Sequence, residues 1–338
     1  MSARHLVFLL FGFAANVAAD TAAGRAALVR QDYEAALREF QESAAIGDRI
    51  AQNNLGVMYY QGLGVEKDQA QGVRWFRQAA EADLAGAQYN LAMAYLRGHG
   101  TGKDVDEAVR WFRKSAEHGD REAQFNLGVC FFHGEGVAQD YSEARVWFDK
   151  AAVQGLATAQ YNLGVIHAEG LGVERNPIDA VTWFIKSADH GNIDAQFTLG
   201  MMYFQGRDVV QDYPQSALWF RKAADQGMSR AQLNLGMMHL SGQGVEDNPV
   251  LGAEWVSKSA VQGYNAAQYN LGLLYDQGIG LAKDPVQAYA WLDASVAGGF
   301  DLARERRDAL GRELPPDRLT EAQALAQQYL EKYGSSAD

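Results

Sequence analysis

A fixed period of 36 residues constrains this chain more than any other feature of its sequence. The run Ala-Gln-aromatic-Asn-Leu-Gly, or a close variant, restarts at this interval without insertion or deletion, and a degenerate start follows at Ala303. Arrays of short repeats stack in one direction, so the length of 338 residues does not predict separate globular domains. The run defines seven repeats: 51–86, 87–122, 123–158, 159–194, 195–230, 231–266 and 267–302.

Each repeat is predicted to be a pair of helices. The first helix contains the repeated run and ends at a glycine such as Gly134, which can adopt the left-handed conformation of a helix C-cap. The second helix follows an Asp or Asn whose side chain can accept hydrogen bonds from first-turn amides. Three of these caps precede a proline, which suits the first helical position. The predicted caps are Asp68, Asp104, Asp140, Asn176, Asp212, Asn248 and Asp284.

All seven tryptophans fall at one position of the second helix, which indicates an architectural role. We expect each to pack against the small residue at the sixth repeat position, which is glycine in six repeats and Ala92 in one. A glutamine recurs at the second position of every repeat, and an asparagine at the fourth position of all but one. We expect these amides to form hydrogen bonds between helices.

The residues on either side of the array are predicted to cap it, because terminal units of stacked repeats are usually atypical. Residues 20–50 are predicted to form an N-terminal pair of helices without the glycine-bearing loop. Residues 303–338 are predicted to form C-terminal capping helices, with one helix from Ala303 to Leu310 and another from Thr320 to about Tyr333. Pro315 and Pro316 separate the two.

Residues 1–19 have the pattern of a cleavable secretory signal peptide. Arg4 provides positive charge, Leu6 to Phe13 form a short apolar core, and small residues lead to a cleavage site after Ala19. We therefore expect a periplasmic or secreted protein. No later stretch approaches the ~20 apolar residues of a transmembrane helix, so no transmembrane segment is expected.

The charge argues against a nucleic-acid-binding protein, and the cysteine content excludes a fold held by disulfides. The formal net charge of −12 argues against nucleic-acid binding, which needs a basic surface. The single cysteine, Cys130, cannot form a disulfide within the chain. We expect it to be a small buried apolar side chain, with a reactive thiol as the alternative.

The sequence contains no motif that indicates catalysis or metal binding. HExxH, CxxC, GxSxG and SxxK are all absent. His167 and His239 occupy equivalent positions two repeats apart, which is too far for a shared metal ion at helix spacings of about 8–10 Å. We expect no enzymatic activity, no catalytic, cofactor-binding or metal site, and no cofactor.

The repeated pattern AQYNLGxxYxxGxGVxxDxxxAxxWFxKAAxxG resembles the Sel-one-like repeat family, a relative of the tetratricopeptide repeat. The match extends over 51–302 and is fullest in 123–158, 159–194 and 267–302. The resemblance implies an all-α fold, a right-handed α/α solenoid superhelix with a concave face. Family members are mostly adaptors or scaffolds for protein complexes, and exported bacterial members act at the cell envelope.

By similarity to tetratricopeptide arrays, the first helices should line the concave face with the third, seventh, tenth and eleventh residues of each repeat. Aromatic side chains beside polar groups suit a protein or peptide partner. The alternative is that the aromatic rings only pack between neighbouring helices. The candidate partner-binding residues are Tyr60, Tyr89, Arg97, Phe125, Phe132, His133, Tyr161, Glu169, Phe197, Phe204 and Tyr269.

The sequence therefore predicts a non-enzymatic interaction scaffold of the bacterial envelope. One alternative is a hydrolase of cell-wall or β-lactam-like compounds, although the relatives that suggest it carry a disulfide in each repeat. The other alternative is a module that contacts polysaccharide. The sequence leaves open the identity of the partner and the oligomeric state, a monomer included.

Overall fold

A computed structural model describes residues 21–333, which form eighteen α-helices and no strands. The predicted signal peptide lies outside these residues. The described residues divide into two compact units, 21–183 and 184–333, with the division inside one helix. No helix among residues 21–333 combines the length and apolar character needed to cross a membrane.

The helices follow one another in pairs. Those of the first unit are α1 (Ala22–Val29), α2 (Tyr33–Ala45), α3 (Arg49–Gln61), α4 (Gln69–Glu81), α5 (Ala85–Arg97), α6 (Val105–Glu117), α7 (Arg121–His133), α8 (Tyr141–Val153) and α9 (Ala157–Glu169). The division falls within α10 (Pro177–Asp189). Those of the second unit are α11 (Ile193–Gln205), α12 (Tyr213–Asp225), α13 (Ser229–Ser241), α14 (Pro249–Ala260), α15 (Asn265–Gln277), α16 (Pro285–Ala297), α17 (Ala303–Glu313) and α18 (Pro316–Tyr333).

The first helix of each repeat begins two residues before the frame taken from the sequence. In the first repeat α3 starts at Arg49, and Asp48 accepts hydrogen bonds from the amides of Ile50 and Ala51. The alanine that opens the frame is therefore already in the first turn, where it is buried. Asp120 and Asn192 cap α7 and α11 in the same way, whereas Leu84, Leu156 and Met228 precede α5, α9 and α13. Capped and uncapped first helices thus alternate over these six repeats.

The predicted caps of the second helices are confirmed. All seven Asp or Asn side chains accept a hydrogen bond from the amide three residues later, as in Asp104 with Glu107 at 3.0 Å. The glycines that end the first helices are left-handed, with Gly134 at φ 72°. Because these contacts depend on residues close in sequence, they recur with the period.

The small residue of the first helix packs against the residue after the tryptophan, so the prediction that it faces tryptophan is wrong. A Cβ added to Gly128 would lie 2.7 Å from Cδ1 of Phe148, which is fully buried. Gly200 meets Phe220 in the same way. Successive residues of a helix point about 100° apart. The tryptophan therefore faces another direction from the ring that fills the interface.

Four of the indole rings are covered instead by lysine side chains one turn later. Lys150 Nζ lies 3.8 Å from the centroid of the Trp147 ring, and the same pair forms in three other repeats at 3.9–4.1 Å. An ammonium group over an aromatic face is a cation–π contact, and the lysine stem shields the ring from water. The tryptophans therefore belong to the architecture, as expected.

The recurring glutamine forms the predicted hydrogen bond between helices in all seven repeats. Its Nε2 donates to the carbonyl eight residues earlier, on the preceding second helix; for Gln160 the acceptor is Ala152 O at 3.0 Å. The recurring asparagine is less uniform. Asn90 donates to Asn53 on the preceding first helix, but Asn126 donates to Glu122 O of its own helix.

The N-terminal helices repeat the core contact of the array despite their shorter loop. Gly24 of α1 approaches the ring of Phe40 of α2, and a Cβ there would lie 2.6 Å from Cε1. Phe40 is fully buried. The pair is therefore a truncated version of the same unit.

The C-terminal helices cover the last repeat. Helix α18 begins at Pro316, four residues before the predicted start at Thr320, since proline is accommodated in the first helical turn. The seventh repeat has Ala294 where others carry lysine, and Tyr329 and Tyr333 cover Trp291 at centroid distances of 4.2 and 5.5 Å. The tail thus substitutes for the missing ammonium group.

Candidate partner-binding site

Four of the predicted binding residues lie in the core of the first unit. Tyr89 and Phe125 are 3% and 2% exposed and contact Phe112 and Phe148 at centroid distances of 5.9 and 5.7 Å. Tyr60 and Phe132 are 6% and 7% exposed. These side chains pack between helices, which is the alternative that the sequence left open.

The other predicted residues of the first unit lie closer to the surface. Arg97 is half-buried, and its positive charge partly offsets the burial that raises the pKa of Tyr60. His133 is half-buried with its ring 5.1 Å from that of Phe132, Tyr161 is half-buried, and Glu169 is exposed. A partner could reach Glu169 directly and the other three side chains in part, and partner binding here stays a prediction.

The three predicted residues of the second unit are half-buried aromatic rings. Phe197 packs on Phe220 at 5.7 Å and beneath the guanidinium of Arg230, and Tyr269 packs on Phe300 at 5.3 Å. Phe204 packs edge-on against Tyr213 at 5.4 Å. Of the three, Phe204 borders open space.

Phe204 lines a pocket of about 360 Å³ between the first helices α11 and α13. We call this the α11–α13 pocket. Its apolar wall consists of Met201, Phe204, Phe220, Met237 and Met238. Its polar rim consists of Gln205, Asn234, Ser241 and Gln243. Five of these nine residues occupy the seventh, tenth or eleventh position of a repeat, as expected for a binding face.

The eleventh position of the sixth repeat carries a small side chain in the pocket lining. In the first unit, burial raises the pKa of the Tyr60 phenol, and the positive charge of the equivalent residue, Arg97, offsets part of this rise. In the second unit the residue is Ser241, whose hydroxyl donates to Met237 O of its own helix at 2.9 Å. A serine turned back on its helix cannot cover Phe204. The aromatic ring therefore remains half-exposed here.

The rim has unused hydrogen-bonding groups. Asn234 Nδ2 donates to the thioether of Met201 at 3.8 Å, whereas Asn90 donates to an amide oxygen at 2.9 Å. Within residues 21–333 the side chain of Gln205 forms no hydrogen bond. Gln243 accepts a long bond of 3.4 Å from Ser241. Sulfur is a weak acceptor, so Asn234 can exchange this contact for a better one.

The ionisable groups of the described residues do not assemble into a reactive site. Burial raises the pKa of the Cys130 thiol to about 12, which confirms its prediction as a buried apolar side chain. No group of three His, Cys, Asp or Glu side chains among residues 21–333 could hold a metal ion. Where His118 meets Asp83 at 2.8 Å, the hydrogen bond lowers the pKa of that exposed carboxyl.

Of the nine lining residues, only Phe204 and Gln205 could be expected at a binding face from aromatic character or the eleventh position of the repeat. The three methionines are not aromatic, although methionine is common on adaptable binding surfaces. A comparison of the eleventh positions would have shown Ser241 as the smallest residue of its set, beside Gln61, Arg97, His133, Glu169, Gln205 and Gln277.

Comparisons with known proteins identify the repeat. The Sel1 repeat family model matches seven consecutive segments: 49–84, 85–120, 121–156, 157–192, 193–228, 229–264 and 265–300. These limits coincide with the helix starts of the structure, two residues before the frame taken from the sequence.

Solved structures agree with this match. A Sel1 repeat protein from Oxalobacter formigenes is 31% identical, with 85% of this chain and 85% of that chain covered and a TM-score of 0.70. A protective antigen of uropathogenic Escherichia coli with an SLR fold is 32% identical over 93% of this chain and 85% of that chain, with a TM-score of 0.46. A comparison with curated proteins gave no match.

Proposed function

Because the chain belongs to the Sel1 repeat family, whose members are generally protein-interaction scaffolds, we propose that it binds a protein or peptide on its first-helix face. By the first-helix face we mean the surface formed by the first helices of the repeats. Such a scaffold holds its partner by surface contacts and catalyses no reaction.

The α11–α13 pocket carries this proposal. It lies on the first-helix face of the second unit, and its lining includes Met237, which is 41% exposed. A concave apolar wall with a few polar groups at its edge is the usual composition of a binding site. Residues that differ between repeats, such as Met237 and Ser241, line it beside two that recur, Phe220 and Asn234.

We place this function in the bacterial envelope, on the sequence of residues 1–19. N-terminal sequencing of the protein from a periplasmic or culture fraction should begin at Asp20. A chain that keeps Met1 and remains with the cytoplasmic fraction would contradict this location and leave the binding proposal intact.

Photo-crosslinking in cells tests the binding proposal. A benzoylphenylalanine placed at Gln205, on the pocket rim, should form a discrete adduct with a partner. The control places the same group at Glu254, an exposed residue of the second helix α14, where no adduct is expected. Equal adducts at both sites, or none at Gln205, would refute binding at this face.

A further inference from the structure

The wall of the α11–α13 pocket limits what a partner can place there. None of its nine lining residues is charged, and three of them are methionines. A charged side chain that entered would lose its hydration without forming an ion pair, which is costly. An uncharged apolar side chain would exchange water for polarisable thioethers and the face of Phe204, and sulfur–aromatic contacts are favourable.

The size of the pocket sets a second limit. Its volume of about 360 Å³ is at the lower end of the roughly 300–1,000 Å³ typical of ligand sites. It can enclose one large side chain together with the adjoining main chain. It is too small for a folded element, so the rest of the partner must lie outside the rim.

The rim matches a peptide main chain. Gln205, Asn234 and Gln243 each carry a side-chain amide, which offers both a donor and an acceptor. Peptide N–H and C=O groups beside a buried side chain need such partners, because an unpaired polar group loses free energy when water leaves. A hydrocarbon chain would leave these amides unused.

On these grounds, and resting on the proposed function, we propose that the α11–α13 pocket binds one large uncharged apolar side chain of the partner, such as Phe, Leu or Met, while the rim amides bind the adjoining main chain. The occupant is thus an uncharged peptide segment with a single apolar anchor. Although the chain carries a net charge of −12, none of the residues that line the pocket is charged.

Methyl NMR with methionine-labelled protein provides the test. The protein has eight methionines, and Met201 and Met237 report on the pocket. The probes are N-acetyl amides of Phe, Leu, Lys and Glu. We expect saturable shifts of both methyls with the Phe and Leu amides and at least tenfold weaker binding of the charged amides. Equal binding of all four probes would overturn the proposal.

Two variants test the location. Ser241→Arg, which introduces the side chain that Arg97 has at the equivalent position, should fill the pocket and abolish the shifts. Glu254→Arg, which introduces the same side chain at an exposed position of α14 outside the pocket, should bind as tightly as wild type. Persistent, well-dispersed methyl signals of Met202 and Met228, which belong to the second unit but not to the pocket lining, show that the variant is folded there. If Ser241→Arg does not fold, Met237→Lys replaces it, since Met237 is 41% exposed. Retained binding in a folded, filled variant would overturn the proposal.

A third variant tests the rim. Asn234→Ala should weaken binding of N-acetyl-leucinamide by about fivefold, the effect of one typical hydrogen bond. Undiminished binding would remove the main-chain part of the proposal. Shifts of Met237 with phosphatidylcholine vesicles and none with the amides would assign the pocket to a lipid chain and overturn it.

This experiment separates the two proposals. Crosslinking at Gln205 without binding of the apolar amides would keep the scaffold function and refute the anchor. Binding of the amides without any crosslinked partner would keep the pocket chemistry and refute the scaffold function at this face.

Discussion

At the scale of single residues, close approach of backbone and ring decides which side chains the array accepts. Gly128 brings its helix against the buried ring of Phe148, and the sixth repeat makes the same contact with Gly236 and Val256. A mid-helix glycine costs about 1 kcal/mol of helix propensity relative to alanine. Its recurrence shows that the close packing of the two helices outweighs this cost.

Gly128→Ala should therefore destabilise the protein although it raises helix propensity. The added Cβ would lie 2.7 Å from the Phe148 ring, and overpacking of this kind costs about 1–3 kcal/mol. Urea denaturation measures the change. The control is Gly102→Ala, where a Cβ meets nothing within 4 Å, and where little change is expected. A Gly128→Ala protein as stable as wild type would contradict the packing described.

Asp120 should give the protein a pH-dependent stability. Burial raises the pKa of its carboxyl from 3.8 to about 6, so the folded chain binds a proton more readily than the unfolded chain. The stability relative to Asp120→Asn should then fall as pH rises from about 4 to about 6, by on the order of 1 kcal/mol. Asparagine retains the cap, as Asn192 shows.

Thermal melts of both proteins between pH 4 and pH 7 measure this difference. Asp120→Ala is the control, because it loses the hydrogen bond to Ala123 N and should be less stable than Asp120→Asn by about 1 kcal/mol throughout this range. A difference between wild type and Asp120→Asn that is constant with pH would show that the carboxyl titrates normally.

At the scale of helices, the caps that begin each helix could be predicted from the sequence, but the side chains that face a neighbouring helix could not. Each second-helix cap could be predicted because Asp104 and the amide it accepts from are three residues apart. The sequence does not show which of two adjacent residues, Trp147 or Phe148, faces the other helix of the pair, because both are large and apolar. The structure settles this, because Lys150 covers the ring of Trp147 and leaves Phe148 to fill the interface between the helices.

The candidate site was the least predictable part for a related reason. The buried ring of Phe132 and the half-buried ring of Phe204 occupy the same tenth position of their repeats, and a helix-period argument does not tell them apart. The pocket depends on Ser241, which lies on a different repeat from Phe204. Predicting it required knowing which residues of neighbouring repeats meet.

The tyrosines of α18 should hold that helix in place. Replacement of both Tyr329 and Tyr333 by alanine removes two aromatic contacts to Trp291, worth about 0.5–1.5 kcal/mol each. Amide hydrogen exchange in α18 should accelerate by roughly tenfold or more. Gln323→Ala, an exposed change on the same helix, should leave it unaltered. Unchanged exchange after the double substitution would show that other contacts fix α18.

At the scale of the whole molecule, each helix pair depends mainly on its neighbours. Stability in such arrays is close to a sum of unit and nearest-neighbour terms. Phe40 and Phe148 are equivalent, fully buried rings, but the first lies in the terminal pair and the second has repeats on both sides. The destabilisation caused by the same substitution should therefore extend over different numbers of helices at the two positions.

Phe40→Ala and Phe148→Ala should each remove about 3–5 kcal/mol of local stability. Hydrogen exchange should rise in α1 to α3 for Phe40→Ala, with α7 to α9 unchanged. For Phe148→Ala it should rise in α5 to α9, on both sides of the substituted helix. Uniform acceleration through residues 21–183 in both variants would indicate a single cooperative unit instead.

The tyrosines that cover Trp291 bear on whether copies of this chain associate with one another. Interior tryptophans such as Trp255 are shielded by a lysine of their own helix, but the last one relies on Tyr329 and Tyr333. A chain cut short before α18 would carry a bare indole at its end. Since an exposed end of a repeat array can stack on another such end, we expect a chain shortened in this way to self-associate, and the two tyrosines to prevent this in the full chain.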